Sequence, residues 1–410
     1  MNATAQERAA RIVGRLDALF EIGRAAGTNR PGLGEGEQRA HDLVAGWMRD
    51  AGLDVSVDRA GNLFGRAAGA EPDLPEIWTG SHLDTPPDGG RFDGALGVVA
   101  GLDAAEAIAH SGGARRTVAV TAFRLEEGPR FGRGVFGSRA VVGGLEDDEA
   151  DLVDVDGVTL GVAFAALGLG DALPDGPVAA RLPAAFVEAH IEQGPSLAAQ
   201  GAALGVVTSI AGMAGIEIVF TGRRGHAGTV PMPLRADALA AAAGFVRAAH
   251  DVARGLPGAV ATIGRLDVSP GATNTIPGRV TAFADLRAPG AETVAALVDG
   301  AVAAARAAAE EAACGVEVMP RWRYEPVAMH AEPMDALRRA VAAAGLEPVE
   351  LPSGAGHDAA ILAEAGVPSA MLFVRSDAGG VSHAPEEETG ADAVAAAVAV
   401  LEPALRELAA

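Results

Sequence analysis

Glu76-Ile77-Trp78-Thr79-Gly80-Ser81-His82-Leu83-Asp84-Thr85 runs from an apolar stretch into a histidine and an aspartate two residues apart. Residues two apart in extended backbone share a face, so His82 and Asp84 point the same way, one able to bind metal and the other to orient it from behind. Asp93 follows in Gly90-Arg91-Phe92-Asp93-Gly94-Ala95, where a helix opens and runs to Ser111. Taken alone, Asp93 reads equally well as an N-cap. The same step from strand to helix recurs at Thr117–Phe123 into Gly134–Val142, and a further strand covers Ala185–His190. This alternation predicts an α/β fold with a largely parallel sheet.

Upstream, apolar periodicity predicts helices over Ala5–Ala25 and Glu37–Ala51, the second closed by Gly52 in a left-handed cap, then a hairpin turning near Ala60-Gly61. Leu145–Pro183 is rich in Gly, Asp and Pro and reads as a long excursion with one helix. Between Ile210 and Arg323 the order changes. Strand Gly215–Thr221, helix Leu234–Val252, strands Ala259–Val268 and Arg279–Leu286, helix Ala291–Ala313 and strand Val316–Trp322 give the split β-α-β-β-α-β pattern of a ferredoxin-like α+β domain. Strands near Val349 and over Ala370–Val374, with helices around Asp358 and Asp392–Leu408, resume the first style. Residues 1–209 and 325–410 are therefore expected to form one domain, with 210–324 inserted into it.

At 410 residues the chain exceeds one hydrophobic core, and 49% apolar residues supply material for two. No run of about 18 uncharged apolar residues suggests a membrane span. The N-terminus lacks the regions of a secretory signal, which gives a cytoplasmic expectation. Cys314 is the single cysteine, cannot form an internal disulfide, and is read as structural or inert. The 32 basic residues against 54 acidic ones give a net charge of −22, which repels nucleic acid and anionic lipid. All 32 are arginine. The absence of lysine removes Schiff-base chemistry, a pyridoxal-phosphate anchor and the P-loop lysine.

Acids and histidines collect at strand ends. Glu126-Glu127 ends the second strand, inside Phe123-Arg124-Leu125-Glu126-Glu127-Gly128, and alone would pass for a solvated edge. His190 ends the next in Glu188-Ala189-His190-Ile191-Glu192-Gln193-Gly194-Pro195, and His383 lies far downstream in Val381-Ser382-His383-Ala384-Pro385-Glu386. His41, His110, His250 and His330 read as ordinary core or surface histidines. The joint pattern does not: open α/β sheets place ligands at strand C-terminal ends, and imidazoles with carboxylates make a nitrogen-and-oxygen metal site. The donors are too many for one tetrahedral ion that keeps an open position, while a bridging carboxylate would divide them between two ions.

At these residues the chain resembles the binuclear zinc aminoacylase and glutamate-carboxypeptidase-like amidohydrolases, and within them the branch of N-carbamoyl-L-amino-acid hydrolases, allantoate amidohydrolases and β-ureidopropionases. The resemblance runs from the first helices to Glu386. It implies His82, Asp93 and His190 on one divalent ion, with Asp93 bridging to a second held by Glu127 and His383, and Glu126 as general base. Zinc, manganese, cobalt or nickel would suit such a mixed site. The peptidase branches usually carry an acid where this chain has His190, which argues against a peptidase.

The inserted domain contributes His226 in Gly225-His226-Ala227-Gly228, Asn274 in Thr273-Asn274-Thr275-Ile276-Pro277-Gly278, and Arg287 in Asp285-Leu286-Arg287. As plain sequence, Asn274 is a turn residue and Arg287 caps a strand. The resemblance implies that His226 and Asn274 polarise the scissile carbonyl and that Arg287 grips a substrate carboxylate, a bidentate task suited to guanidinium. It also implies pocket roles for Gln193, Gly356 and His357, and a homodimer joined through this domain, which closes as a lid over a small-molecule substrate. A rival reading rests on Gly132-Arg133-Gly134-Val135-Phe136-Gly137, which matches a dinucleotide-binding pattern, but these glycines do not directly follow a strand. A serine hydrolase is disfavoured, because no serine occupies G-x-S-x-G.

Overall fold

A computed structural model describes residues 3–410. Helices α1 (Ala3–Phe20) and α2 (Glu35–Asp50) precede a hairpin of β1 (Asp54–Val57) and β2 (Leu63–Ala67). Then come β3 (Ile77–His82), α3 (Ala95–His110), β4 (Val118–Phe123), α4 (Phe136–Val142), α5 (Leu160–Ala166), β5 (Ala185–Ile191), α6 (Ser196–Ala199) and β6 (Leu204–Ile210). The middle of the chain holds β7 (Gly212–Thr221), β8 (Gly225–His226), α7 (Ala238–Arg254), β9 (Val260–Ser269), β10 (Thr275–Ile276), β11 (Arg279–Ala288), α8 (Ala291–Glu311) and β12 (Gly315–Tyr324). The last elements are β13 (Val327–Ala328), α9 (Ala331–Ala343), β14 (Val349–Ser353), α10 (Asp358–Glu364), β15 (Ser369–Val374) and α11 (Ala391–Leu408). Two compact units result. The larger takes in the chain up to Thr208 with Ala328–Leu351 and Gly356–Ala410, and the smaller Ser209–Val327 with Pro352–Ala355. Among the described residues no helix is long and apolar enough to cross a membrane.

In the larger unit the strand order is β1-β2-β4-β3-β5-β15-β6-β13, with β14 beside β6. The four central strands, β4, β3, β5 and β15, are parallel, and β2 and β6 join them antiparallel. Those four are buried along their whole length, as apolar strands covered on both faces must be. Helix α3 is buried on nearly every side, because a Cβ at Gly97 would stand 2.1 Å from the Ala189 carbonyl oxygen and only glycine lets the helix come so close.

The smaller unit pairs its strands antiparallel in the order β12-β7-β11-β9. The two helices α7 and α8 bury Phe220, Phe245, Leu286 and Leu297 against the sheet, so the ferredoxin-like expectation holds. Helix α7 starts four residues later than periodicity suggests. Pro231 and Pro233 keep Met232–Leu234 in a tight turn, and the Asp237 side chain then caps the amides of Leu239 and Ala240. Strand β6 was not expected from the sequence: its partner β15 lies more than 150 residues downstream, and no local turn announces it. Cys314 is partly buried in this unit.

The excursion after Leu145 holds α5 and packs Leu160, Ala163 and Phe164 with Leu33, Leu125 and Phe136 in a satellite core. Of the glycines in 132–137, Gly134 and Gly137 serve close packing. Val135, Phe136 and Gly137 donate their amides to the carbonyls of Glu126, Leu125 and Arg124, and a Cβ at Gly134 would lie 2.2 Å from the Glu126 carbonyl oxygen.

Beneath that turn lies a buried ion pair. Arg124 Nη1 donates to Glu37 Oε2 at 3.0 Å, its Nε to the Gly61 carbonyl at 2.9 Å, and Glu37 Oε1 accepts the Leu125 amide at 2.8 Å. Both side chains are at most 2% exposed. Removing one partner leaves the other buried and uncompensated. Glu37→Ala is expected to cost about 3–5 kcal/mol in urea unfolding, and Glu37→Gln clearly less. An alanine variant as stable as the parent would show that the pair does not hold this end of the sheet.

Candidate active site

The parallel register of β3, β4 and β5 lines up three strand ends, and each delivers donors to one place. His82 ends β3, Asp93 sits in the turn before α3, Glu126 and Glu127 follow β4, His190 lies near the end of β5, and His383 comes from the loop between β15 and α11. Asp93 is the centre. Its Oδ1 lies 3.2 Å from His190 Nε2 and 3.5 Å from His82 Nε2, and its Oδ2 lies 3.3 Å from His383 Nε2. His383 Nε2 is also 3.3 Å from Glu127 Oε1, and Glu126 Oε2 is 3.8 Å from His82 Nε2. Donor atoms of His82, Asp93 and His190 fall within 4.8 Å of one another, and so do those of Asp93, Glu127 and His383. The two oxygens of one carboxylate therefore face different sets of donors, as a bridge between two cations requires.

Unusual backbone conformations accompany this cluster. Leu125 (φ 47°), Gln193 (φ 56°) and His383 (φ 55°) are left-handed although none is glycine. Such residues cost about 1–3 kcal/mol each and gather at functional sites. Gly94 (φ 61°) is needed because a Cβ there would stand 2.4 Å from the His82 ring. Asp84 does more than orient His82, whose Nδ1 lies 3.4 Å from its Oδ1. It accepts the amides of Glu126 and Glu127, one on each oxygen at 3.0 Å, and so fixes the turn that carries both glutamates.

Burial and mutual charge set the protonation of these groups. Burial would push Asp93 up, but the imidazoles of His190, His383 and His82 hold it well below the usual carboxylate range. Burial opposes charge on His82, yet Glu126, Asp84 and Asp93 raise it well above the usual histidine value. Burial raises Glu126 strongly, and burial with the nearby Asp93 lifts Glu127 to about 7. The hydrogen bond to Asp93 carries His383 to about 9. His357 is pushed down by burial and by His190, whose ring centroid is 4.6 Å away.

Gln193 donates to Asp93 Oδ2 at 2.7 Å, so it joins the cluster, and Gly356 precedes His357 at the start of α10. The other expected residues belong to the smaller unit. His226 pairs with Thr275 across β8 and β10, the Asn274 carbonyl accepts the Ala227 amide at 3.0 Å, and both His226 and Asn274 are exposed. Arg287 is held bidentate by Asp285, at 2.7 and 2.9 Å, and donates its Nη1 to the Gly354 carbonyl.

Sequence reasoning passed over other participants. Glu188 is buried two residues before His190 on the same strand face, accepting from Ser81 Oγ and the Ala359 amide, and the argument used for His82 and Asp84 could have found it. Asp358, bonded by Ser138 Oγ, and Ser382 carry no comparable signal.

Residues 78–407 match the pattern of Peptidase family M20/M25/M40. An N-carbamoyl-L-amino acid amidohydrolase of Geobacillus stearothermophilus is 40% identical over 384 residues, covering 92% of this chain and 93% of that protein. An allantoate amidohydrolase of Bacillus subtilis (strain 168) is 34% identical over 365 residues, covering 88% of each. The crystal structure of an amidase of the hydantoinase/carbamoylase family from Burkholderia multivorans has a TM-score of 0.91 at 34% identity, covering 98% of both chains. Fold, strand-end motifs and overall similarity agree that this chain belongs to peptidase family M20/M25/M40, in its group of hydantoinase/carbamoylase amidases.

Proposed function

We propose that this chain hydrolyses the ureido group of an N-carbamoyl-L-amino acid, giving the free amino acid, ammonia and carbon dioxide, with two divalent ions per subunit. The observation that carries the binuclear reading is the division of Asp93, with His82 and His190 at one oxygen and His383 at the other. The donor set suits zinc, manganese, cobalt or nickel: His82 and His190 would hold one ion, Glu127 and His383 the other, and Asp93 would serve both. When bound, such ions supply Lewis acidity and a water acidified toward neutrality. The relative from Geobacillus stearothermophilus supports the substrate class, and the allantoate amidohydrolase of Bacillus subtilis supports allantoate as a second reading.

The chain's own groups then have distinct tasks. Glu126 takes the proton of the attacking water and returns it to the leaving nitrogen, a role favoured by the upward push of burial on its carboxyl. The hydrogen bond that the Glu126 amide donates to Asp84 Oδ1 helps to keep the Glu126 carboxylate beside His82. Arg287, already oriented by Asp285, receives the substrate carboxylate, with Gln193, Gly356 and His357 lining the pocket. His226 and Asn274 polarise the scissile carbonyl; the pairing of His226 with Thr275 and the bond from the Ala227 amide to the Asn274 carbonyl support a joint role. Residues 210–324 act as lid and dimerisation domain of a cytoplasmic homodimer that takes a small carboxylate-bearing substrate and no nucleic acid.

Ammonia release from a panel of N-carbamoyl-L-amino acids, N-carbamoyl-β-alanine and allantoate tests the assignment, with turnover expected on the first class. Glu126→Gln is expected to keep metal while kcat falls by roughly 10²–10⁴. Loss of metal instead would exchange the roles of Glu126 and Glu127.

Metal-stripped protein titrated with zinc should take up two equivalents. Because Glu127 is raised to about 7 and His383 to about 9, protons compete for these donors at neutral pH, and apparent affinity should climb from pH 7 to 9. A plateau at one equivalent in fully active enzyme would refute the binuclear reading.

Mixing His226→Ala subunits with Glu126→Gln subunits tests whether His226 acts across the dimer. Exchange should restore up to about a quarter of wild-type activity, since half the dimers then carry one intact composite site. Proven heterodimers without recovery would mean that each chain builds its site alone.

A further inference from the structure

His383 is the most exposed of the donors, at 48%, and it sits on a loop in left-handed backbone. Something behind it must fix its distance from Asp93, and three consecutive glutamates follow it at 386, 387 and 388. Only Glu387 is buried, at 5% exposure. Its Oε1 accepts the amide of Phe92 at 2.7 Å and that of Asp93 itself at 3.0 Å. Its Oε2 lies 2.9 Å from Ser382 Oγ, and that same hydroxyl lies 3.0 Å from Asp93 Oδ2. A serine has one hydroxyl hydrogen, so Ser382 serves one of these oxygens at a time and ties the two carboxylates together.

Space has been reserved for this contact. A Cβ at Gly90 would stand 2.2 Å from both Cδ and Oε1 of Glu387, so any side chain there would expel the carboxylate. The Glu387 amide closes its own turn onto the Ala384 carbonyl at 3.1 Å, one residue past His383. One buried carboxylate thus grips the backbone of the Asp93 loop with one oxygen and the His383 loop with the other.

We propose that Glu387 is a positioning residue which, with Gly90 as its socket and Ser382 as its link, sets the separation of Asp93 Oδ2 and His383 Nε2. This inference rests on the binuclear reading. The donors around Asp93 Oδ1, His82 and His190, belong to β3 and β5 and do not pass through the clamp. Asp93 serves both sites and its amide is held by the clamp, so loss of the clamp should weaken the site at Oδ2, where His383 is released as well, far more than the site at Oδ1, which keeps His82 and His190.

The test uses full-length, metal-stripped protein titrated with cobalt(II), followed by visible absorption and calorimetry. In Glu387→Ala one equivalent should bind at most about 3-fold more weakly than in wild type and the other about 10–100-fold more weakly. Glu387→Gln keeps an oxygen for the two amides and an NH₂ toward Ser382, and it should restore the second equivalent. Gly90→Ala leaves the glutamate in place but fills its socket, and it should reproduce the alanine variant. Equal weakening of both equivalents, or none, in Glu387→Ala overturns the proposal, as does a glutamine variant no better than alanine. If Glu387→Ala does not fold, an undisturbed second equivalent in Gly90→Ala overturns it equally. A wild-type protein that binds only one cobalt would sink the binuclear reading itself, a separate outcome.

Discussion

Mutual repulsion among buried carboxylates is the constraint around which the larger unit is arranged. Asp84, Asp93, Glu127, Glu188, Asp358 and Glu387 are each at most 8% exposed. Like charges this close in a poorly hydrated place cannot stand without compensation. Imidazoles provide part of it at Asp93. Backbone amides provide much of the rest: those of Glu126 and Glu127 face Asp84, those of Phe92 and Asp93 face Glu387, and that of Ala359 faces Glu188. Each amide aimed at a carboxylate constrains the path of the chain, and Leu125 and His383, beside two of these places, are left-handed. Behind them Arg30 is wholly buried, its guanidinium donating to the carbonyls of Leu83 and Leu19 while its charge favours Asp84 and Glu37.

The sheet supplies the distances. Parallel pairing brings His82 level with Phe123 and ends β5 alongside, so donors from segments far apart in sequence share one rim. A Cβ at Gly80 (φ 140°) would stand 1.9 Å from the Thr121 carbonyl oxygen, and with Gly97 this glycine lets neighbouring elements approach to backbone contact. The rim is tight because two side chains are missing.

Much of this was legible in the sequence where period and punctuation coincide. The central strands are short apolar runs ending in polar motifs, and the βαββαβ order of the smaller unit follows from the succession of strand-like and helical runs between Ile210 and Arg323. His82, Asp93, the pair Glu126-Glu127, His190 and His383 stand out as candidates because each terminates such a run or sits in a distinctive motif, while the division of roles between Glu126 and Glu127 comes from the family resemblance alone. Other features depend on partners that no local pattern reveals. Strand β6 exists because β15 offers it an edge. Glu387 reads identically to Glu386 and Glu388, and what singles it out is burial against the space left by Gly90. The Arg124–Glu37 pair joins residues 87 apart, each of which in sequence is one more charged side chain.

Strand β15 has a consequence for the chain during its synthesis. It is the last strand made, yet it lies between β5 and β6, which are neighbours in sequence. While the ribosome is still adding the 177 residues that separate Ile191 from Ser369, one flank of β5 lacks the strand that completes its hydrogen bonding. An apolar strand with an open flank is a template for pairing with any other extended chain. Nascent or truncated copies that stop short of Val374 present this edge, so premature termination produces adhesive fragments, and keeping the edge apart until release is a task for chaperones.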